Sequence, residues 1–125
     1  MSGRFVILHH TFDDSEHWDL MLERGGALLT WQLSKEPGYG RDLPIRARRI
    51  ADHRIAYLTY EGRISGDRGC VRRTDSGTVR FVTLTADTVR VRLHGERLAG
   101  LFSLTRSAGD DNWIFDRTEQ PCPPR

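Results

Sequence analysis

Thr88-Val89-Arg90-Val91-Arg92-Leu93-His94 changes between apolar and polar side chains at almost every step. Val89, Val91 and Leu93 fall on one side of an extended chain, and Arg90, Arg92 and His94 on the other. That is the period of a strand with one face buried, not of a helix. Ala86-Asp87 and Gly95-Glu96 bound the run as turn signals. Similar runs occupy residues 70–74, 78–85 and 97–105, with Asp75-Ser76-Gly77 reading as a turn, residues 107–112 as a polar loop and Trp113-Ile114-Phe115 as a closing strand. About five strands in a meander are expected after residue 70, the spacing of an antiparallel sandwich or barrel.

Toward the N-terminus, residues 4–9, 18–23 and 27–33 read as strands, and Gly25-Gly26 between the last two reads as a hairpin turn. Residues 34–44, rich in Gly, Pro and charge, predict an exposed, mobile loop, and residues 45–50 a short helix. The proline-rich end, residues 119–125, predicts a disordered tail. The chain therefore reads as mostly β with at most short helices, one domain over residues 1–118, without internal repeats.

Its 125 residues suffice for one hydrophobic core. No apolar run approaches the roughly 20 residues that span a bilayer, and the start has too short an apolar stretch for a signal peptide, so a cytoplasmic protein away from membranes is expected. Cys70 and Cys122 form neither a disulfide framework nor a zinc-ligand pair and are expected to be free thiols. The formal charge is only +2, yet Lys35 is the sole lysine and the remaining basic residues are arginines. Two readings stand for that bias: bidentate phosphate recognition, or a codon preference that raises arginine everywhere. Clustering is more informative. Arg41, Arg46, Arg48, Arg49 and Arg54 lie close together, followed by Arg63, Arg68, Arg72 and Arg73, as expected of a basic face for a phosphate backbone.

The chemistry gathers in His9-His10-Thr11-Phe12-Asp13-Asp14-Ser15-Glu16-His17-Trp18-Asp19. His10 ends one strand, and His17 and Asp19, at i and i+2 on the next, share a face. Two imidazoles and one carboxylate suit Mn, Fe or Zn. A surface pair of His17 and Asp19, with His10 a chance neighbour, has the same spacing. His9 must face away from His10; Trp18, Leu20 and Leu22 on the opposite face, with Trp31 and Leu33, are expected in the core. Asp13, Asp14 and Glu16 read as a solvated acidic loop, and His94 as a surface residue.

Three stretches carry a family resemblance: the His10-to-Glu23 run, Trp31-Gln-Leu-Ser-Lys35-Glu-Pro37, and Asp52-His53-Arg-Ile-Ala-Tyr57 with Glu61-Gly62. Together they resemble the 3′-phosphoesterase domain of bacterial DNA ligase D, and the likeness continues through Gly66-Asp67-Arg68-Gly69-Cys70-Val71. The resemblance implies a small closed antiparallel β-barrel of about eight strands. It also implies a manganese-dependent phosphoesterase that removes 3′-phosphates or 3′-terminal ribonucleotides from DNA or DNA–RNA primer ends in end joining and repair. Carried over by motif, His10, His17 and Asp19 are the metal ligands, while His53, Tyr57, Lys35 and Arg46 are the catalytic and phosphate-contacting residues.

There are departures. The family's arginine two positions after the metal-binding aspartate is Met21 here, and the loop between the first two ligands is one residue longer. The chain starts almost at its first strand, without the N-terminal segment of the ligase domains. It carries no polymerase or ligase domain, so it is expected to act alone or with a ligase or polymerase in trans. Two functional readings follow: a stand-alone phosphoesterase, or a metal-containing DNA-end or phosphate-binding module that has lost turnover.

Overall fold

The structure, a computed structural model, describes residues 2–107 and 111–118. Nine strands follow in order: β1 (Ser2–Phe12), β2 (Ser15–Arg24), β3 (Ala27–Leu33), β4 (Ile45–Arg54), β5 (Gly62–Arg63), β6 (Cys70–Leu84), β7 (Thr88–Gly95), β8 (Ala99–Arg106) and β9 (Asn112–Arg117). A single 3-10 turn, Ile55–Leu58, follows β4. Eight strands close a ring in the order β1-β2-β3-β4-β9-β8-β7-β6, and β6 pairs back to β1; every pairing is antiparallel. The expected closed β-barrel is the fold. Closure leaves no free edge in the ring, and the short β5 adds outside it, against Cys70 and Val71.

The barrel is filled by inward residues from all eight ring strands, among them Phe5, Ile7, Leu20, Leu22, Trp31 and Phe102. The expected core face of Trp18, Leu20 and Leu22 points there, with Trp18 only partly buried. A second cluster sits on the opposite face of β1 to β3 and the start of β6, outside the barrel: Val6, Leu8, Met21, Leu28 and Val71, covered by Leu58 with Ile55, Tyr57 and Ile64 packed against them. Both faces of β1 are therefore buried. That explains why Phe5-Val6-Ile7-Leu8 is a continuous apolar run where a one-sided strand would alternate. The covering chain, residues 55–69, turns this stretch of outer wall into a second interior.

Two expectations are corrected. Residues 45–50 are not a helix but the first half of β4, because Ile45 and Ala47 are buried while Arg46 and Arg48 are exposed, a period of two. Asp75-Ser76-Gly77 is not a turn; it runs through the middle of β6, so the two strands expected there are one and four strands, not five, follow residue 70. The buried Asp75 carboxylate accepts hydrogen bonds from the backbone N–H groups of Ser76, Glu96, Arg97 and Leu98, tying β6 to the β7–β8 turn. A Cβ at Gly77 would lie 1.9 Å from the His94 carbonyl oxygen, so this glycine serves the close approach of β6 and β7. In the loop at residues 34–44, Pro37 and Gly40 are buried while Lys35 is exposed. Cys70 is a free thiol; Cys122 and the tail at residues 119–125 lie outside the described residues.

Candidate metal centre and phosphate cavity

The β1–β2 turn is tight: Phe12 pairs with Ser15, leaving only Asp13 and Asp14 between, with Asp13 at φ 51°. A two-residue turn fixes the register of every pair behind it. Hence His10 lies directly opposite His17, and Leu8 opposite Asp19. Both histidines and Asp19 project from the outer face. His17 Nε2 is 3.0 Å from His10 Nδ1 and 3.2 Å from Asp19 Oδ1, and His10 Nδ1 is 3.9 Å from Asp19 Oδ2. One ligand atom from each residue falls within 4.8 Å of the others.

Two further observations show that this trio suits a cation. Asp19 is 3% exposed, and its Oδ1 has no hydrogen-bond partner among the described residues. A buried carboxylate oxygen without a donor is costly unless a positive charge compensates it. His10 Nε2 is 2.7 Å from the Arg68 carbonyl oxygen. Donation of its N–H to that oxygen leaves the Nδ1 lone pair facing His17 and Asp19, the arrangement by which a neighbour orients a ligating imidazole. His9 stands on the other face, stacked on Trp18 at 4.6 Å and 2.7 Å from Glu16 Oε1. His94 is exposed on β7.

The trio stands between two openings. A cavity of about 100 Å³ on one side is lined by His10, Asp19, Met21, His53, Tyr57 and Arg68, among others. The last residues of β4 and the 3-10 turn thus bring His53 and Tyr57 beside the ligands, their rings 5.4 Å apart and edge to face. His53 Nδ1 lies 3.0 Å from the Ala51 carbonyl; donating there leaves Nε2 free. Met21 shares the ligand face, as its i+2 position from Asp19 predicts, and is 1% exposed.

On the other side an opening of about 240 Å³ is lined by His17, Gln32, Ser34, Arg46 and Arg48. The register explains it: Asp19 pairs with Gln32, and Gln32 with Arg48. Lys35, one residue past Ser34, is exposed and lines neither opening. The arginine cluster divides. Arg46 and Arg48 face the ligand side, while the Arg49 guanidinium lies 4.5 Å over Trp31 and 3.4 Å from Asp52.

Two contributors were not singled out from the sequence. Gln32 could have been read from its place between the inward Trp31 and Leu33. Arg68 gave only a weak signal, as one arginine among several, because the turn that carries it to the site is set by tertiary packing. Gly69 (φ 91°) makes that turn possible: a Cβ there would lie 1.9 Å from the Thr11 carbonyl oxygen. Arg68 Nε donates to the Ser65 carbonyl, and Nη2 lies 3.3 Å from Ser65 Oγ.

Comparison with known proteins agrees with this architecture. The family model of the DNA ligase D 3′-phosphoesterase domain matches residues 8–106, which include the three candidate ligands. The chain is 36% identical over 120 residues to the multifunctional non-homologous end joining protein LigD of Mycobacterium bovis, covering 90% of this chain and 16% of that protein. It is also 36% identical, with the same coverage, to the corresponding DNA repair protein of Mycobacterium tuberculosis (strain CDC 1551 / Oshkosh). With the LigD of Mycolicibacterium smegmatis the identity is 32% over 130 residues, 93% of this chain and 17% of the relative. The chain thus spans about a sixth of the length of these relatives, and it belongs to the DNA ligase D 3′-phosphoesterase domain family.

Proposed function

We propose that this domain is a manganese-dependent phosphoesterase that acts on the 3′ ends of DNA, removing a 3′-phosphate or a 3′-terminal ribonucleotide during end processing in non-homologous end joining. The observation that carries the reading is the convergence of His10, His17 and the buried, donor-poor Asp19 beside a cavity that also holds His53, Tyr57 and Arg68. A divalent ion held by those three residues would polarise a phosphoryl oxygen and supply an activated water.

The chain's own groups have distinct tasks in this reading. Hydrolysis adds water to phosphorus, breaks the bond from phosphorus to the ester oxygen and returns a proton to that oxygen. With Nδ1 engaged by Ala51, His53 has Nε2 to give that proton or to bind the phosphate. Tyr57 fixes the His53 ring edge to face. Arg68 is a permanent cation in the same cavity as the buried Met21 and offsets charge on the phosphoryl oxygens. Arg46 contributes from the opposite opening, and Lys35, from its exposed loop, meets the strand on approach. In such a role the domain works together with a ligase or polymerase. Among the described residues no helix is long and apolar enough to cross a membrane.

Met21 favours a second reading, because a neutral thioether stands where the family has an arginine: a metal-containing module that binds DNA ends without turnover. Phosphate release from a 3′-phosphorylated primer, with and without manganese, separates the two when run beside a binding assay on the same DNA. Manganese-dependent release supports the enzyme. Binding without release, with manganese shown to be bound, supports the module.

A further inference from the structure

A second cleft, of about 260 Å³, opens next to the metal cavity and shares Tyr57 and Ile64 with it as a common wall. Its other walls include Arg54, Tyr60 and Arg63. Tyr57 and Tyr60 meet edge to face with centroids 5.9 Å apart, and Tyr60 is 40% exposed, one of few large aromatic rings left open to solvent. The Tyr60 hydroxyl donates to the Arg63 carbonyl oxygen, which pins the ring at the mouth of the cleft. The Arg54 and Arg63 side chains are exposed and have no ion-pair partner among the described residues. The nearby Glu61 carboxylate is engaged by the Arg73 backbone N–H.

We propose that this cleft is a nucleoside subsite: the base of the nucleoside whose sugar carries the 3′-phosphate stacks on Tyr60, and Arg54 and Arg63 hold the phosphates that precede it. The inference deepens the phosphoesterase reading and rests on it for the position of the phosphate. Three properties select a nucleic-acid strand over a small phosphate ester. The cleft continues the metal cavity, so a ligand anchored there by a terminal phosphate extends along the Tyr57 wall. Its aromatic surface is open, and every base has a face that stacks on such a ring. Its unpaired charges are both positive, complementary to a phosphate backbone and surplus to the needs of a single phosphate already met at the metal cavity.

The test compares three substrates with manganese present: a 3′-phosphorylated single-stranded oligonucleotide, the same strand abasic at its terminal nucleoside, and para-nitrophenyl phosphate. Losing a stacked base corresponds to roughly tenfold in KM. The expected result is that the abasic strand shows this rise with the native protein. Tyr60→Ala shows it for the normal strand only and leaves para-nitrophenyl phosphate unchanged, while Tyr60→Phe, which keeps the ring and loses only its hydroxyl anchor, shows a smaller rise. Arg54→Gln with Arg63→Gln should flatten the salt dependence of strand binding. Tyr60→Ala that leaves the normal strand unaffected, or alters all three substrates alike, overturns the subsite. Fluorescence of 2-aminopurine at the terminal nucleoside reads the cleft without turnover. Quenching by the native protein but not by Tyr60→Ala supports the subsite even if nothing is hydrolysed, a result that would count against the phosphoesterase reading alone. No quenching by the native protein overturns the subsite.

Discussion

Inside the barrel, Trp31, Phe102 and Phe115 are enclosed by eight strands that hydrogen-bond all the way round. The outer apolar face of β1 to β3 is enclosed differently, by a single stretch of chain fastened at a few points. These are the two-residue pairing of β5, the hydrogen bond from Arg73 N–H to Glu61, and the bond between His10 and the Arg68 carbonyl. The first enclosure contains none of the three candidate ligands. The second is where burial and chemistry use the same residues, since Met21, Tyr57 and Ile64 belong both to the outer apolar packing and to the cavity beside the ligands.

The sharpest way to break this contrast is to remove the charge it is built around. Asp19→Ala should lower manganese affinity at least about 100-fold, more than the loss of a residue that merely orients a ligand, and abolish phosphate release. Without metal its unfolding free energy should stay level or rise, because a buried carboxylate whose Oδ1 has no hydrogen-bond donor among the described residues is no longer confined. Calorimetry and urea unfolding read the two effects separately. Unchanged metal binding in both Asp19→Ala and His17→Ala would place the site elsewhere.

Packing deletions on the two sides come next. Phe102→Ala, inside, should cost about 3–5 kcal/mol of stability, and Leu58→Ala, in the cover, about 2–3 kcal/mol. Only the second should also weaken metal binding at a temperature where both variants remain folded. Equal effects on metal affinity would erase the distinction between the two enclosures.

Cations in the small cavity are the third lever. Arg68→Gln should lower kcat/KM by about 100-fold, the scale of one lost charge-stabilising donor, with manganese affinity nearly unchanged because the main-chain carbonyl remains. Met21→Arg in that background should recover part of the loss. In the native background it should gain less, since Arg68 already lines the space. Recovery by neither route would show that phosphate is met from the Arg46 and Arg48 side instead. The smallest effect expected is that of salt: strand affinity should fall steadily between low and physiological ionic strength as counterions are released, and a flat titration would exclude backbone contacts.

Much of this arrangement was legible from residue order because its determinants are local. Alternation in β7, the glycine pair before β3 and the i, i+2 spacing of His17 and Asp19 each encode their geometry within a few residues. Motif likeness selected the closed barrel over a sandwich and brought in His53 and Tyr57. What stayed hidden was set at a distance. Asp75-Ser76-Gly77 has turn composition, yet its aspartate serves amides some twenty residues away and its glycine admits β7. Residues 45–50 carry too few apolar positions to separate a strand from a helix until β9 is placed beside them. Arg68 lies in a stretch that shares the family likeness but carries no role from it, and only the docking of residues 55–69 over the outer face brings it to His10.

The bond between His10 and the Arg68 carbonyl ties the candidate metal centre to the segment that covers the outer wall. Seating residues 55–69 on the barrel presents His10 in the form that would bind a metal ion. By reciprocity, whatever factor the seated segment adds to metal affinity, the ion returns as preference for the seated segment. The same segment carries Tyr60 and Arg63, so an ion that favours the seated segment would also favour the proposed groove for a strand. Ion and nucleic acid should then strengthen each other's binding, and amide hydrogens in residues 55–69 should exchange more slowly once manganese is added, before any DNA is present.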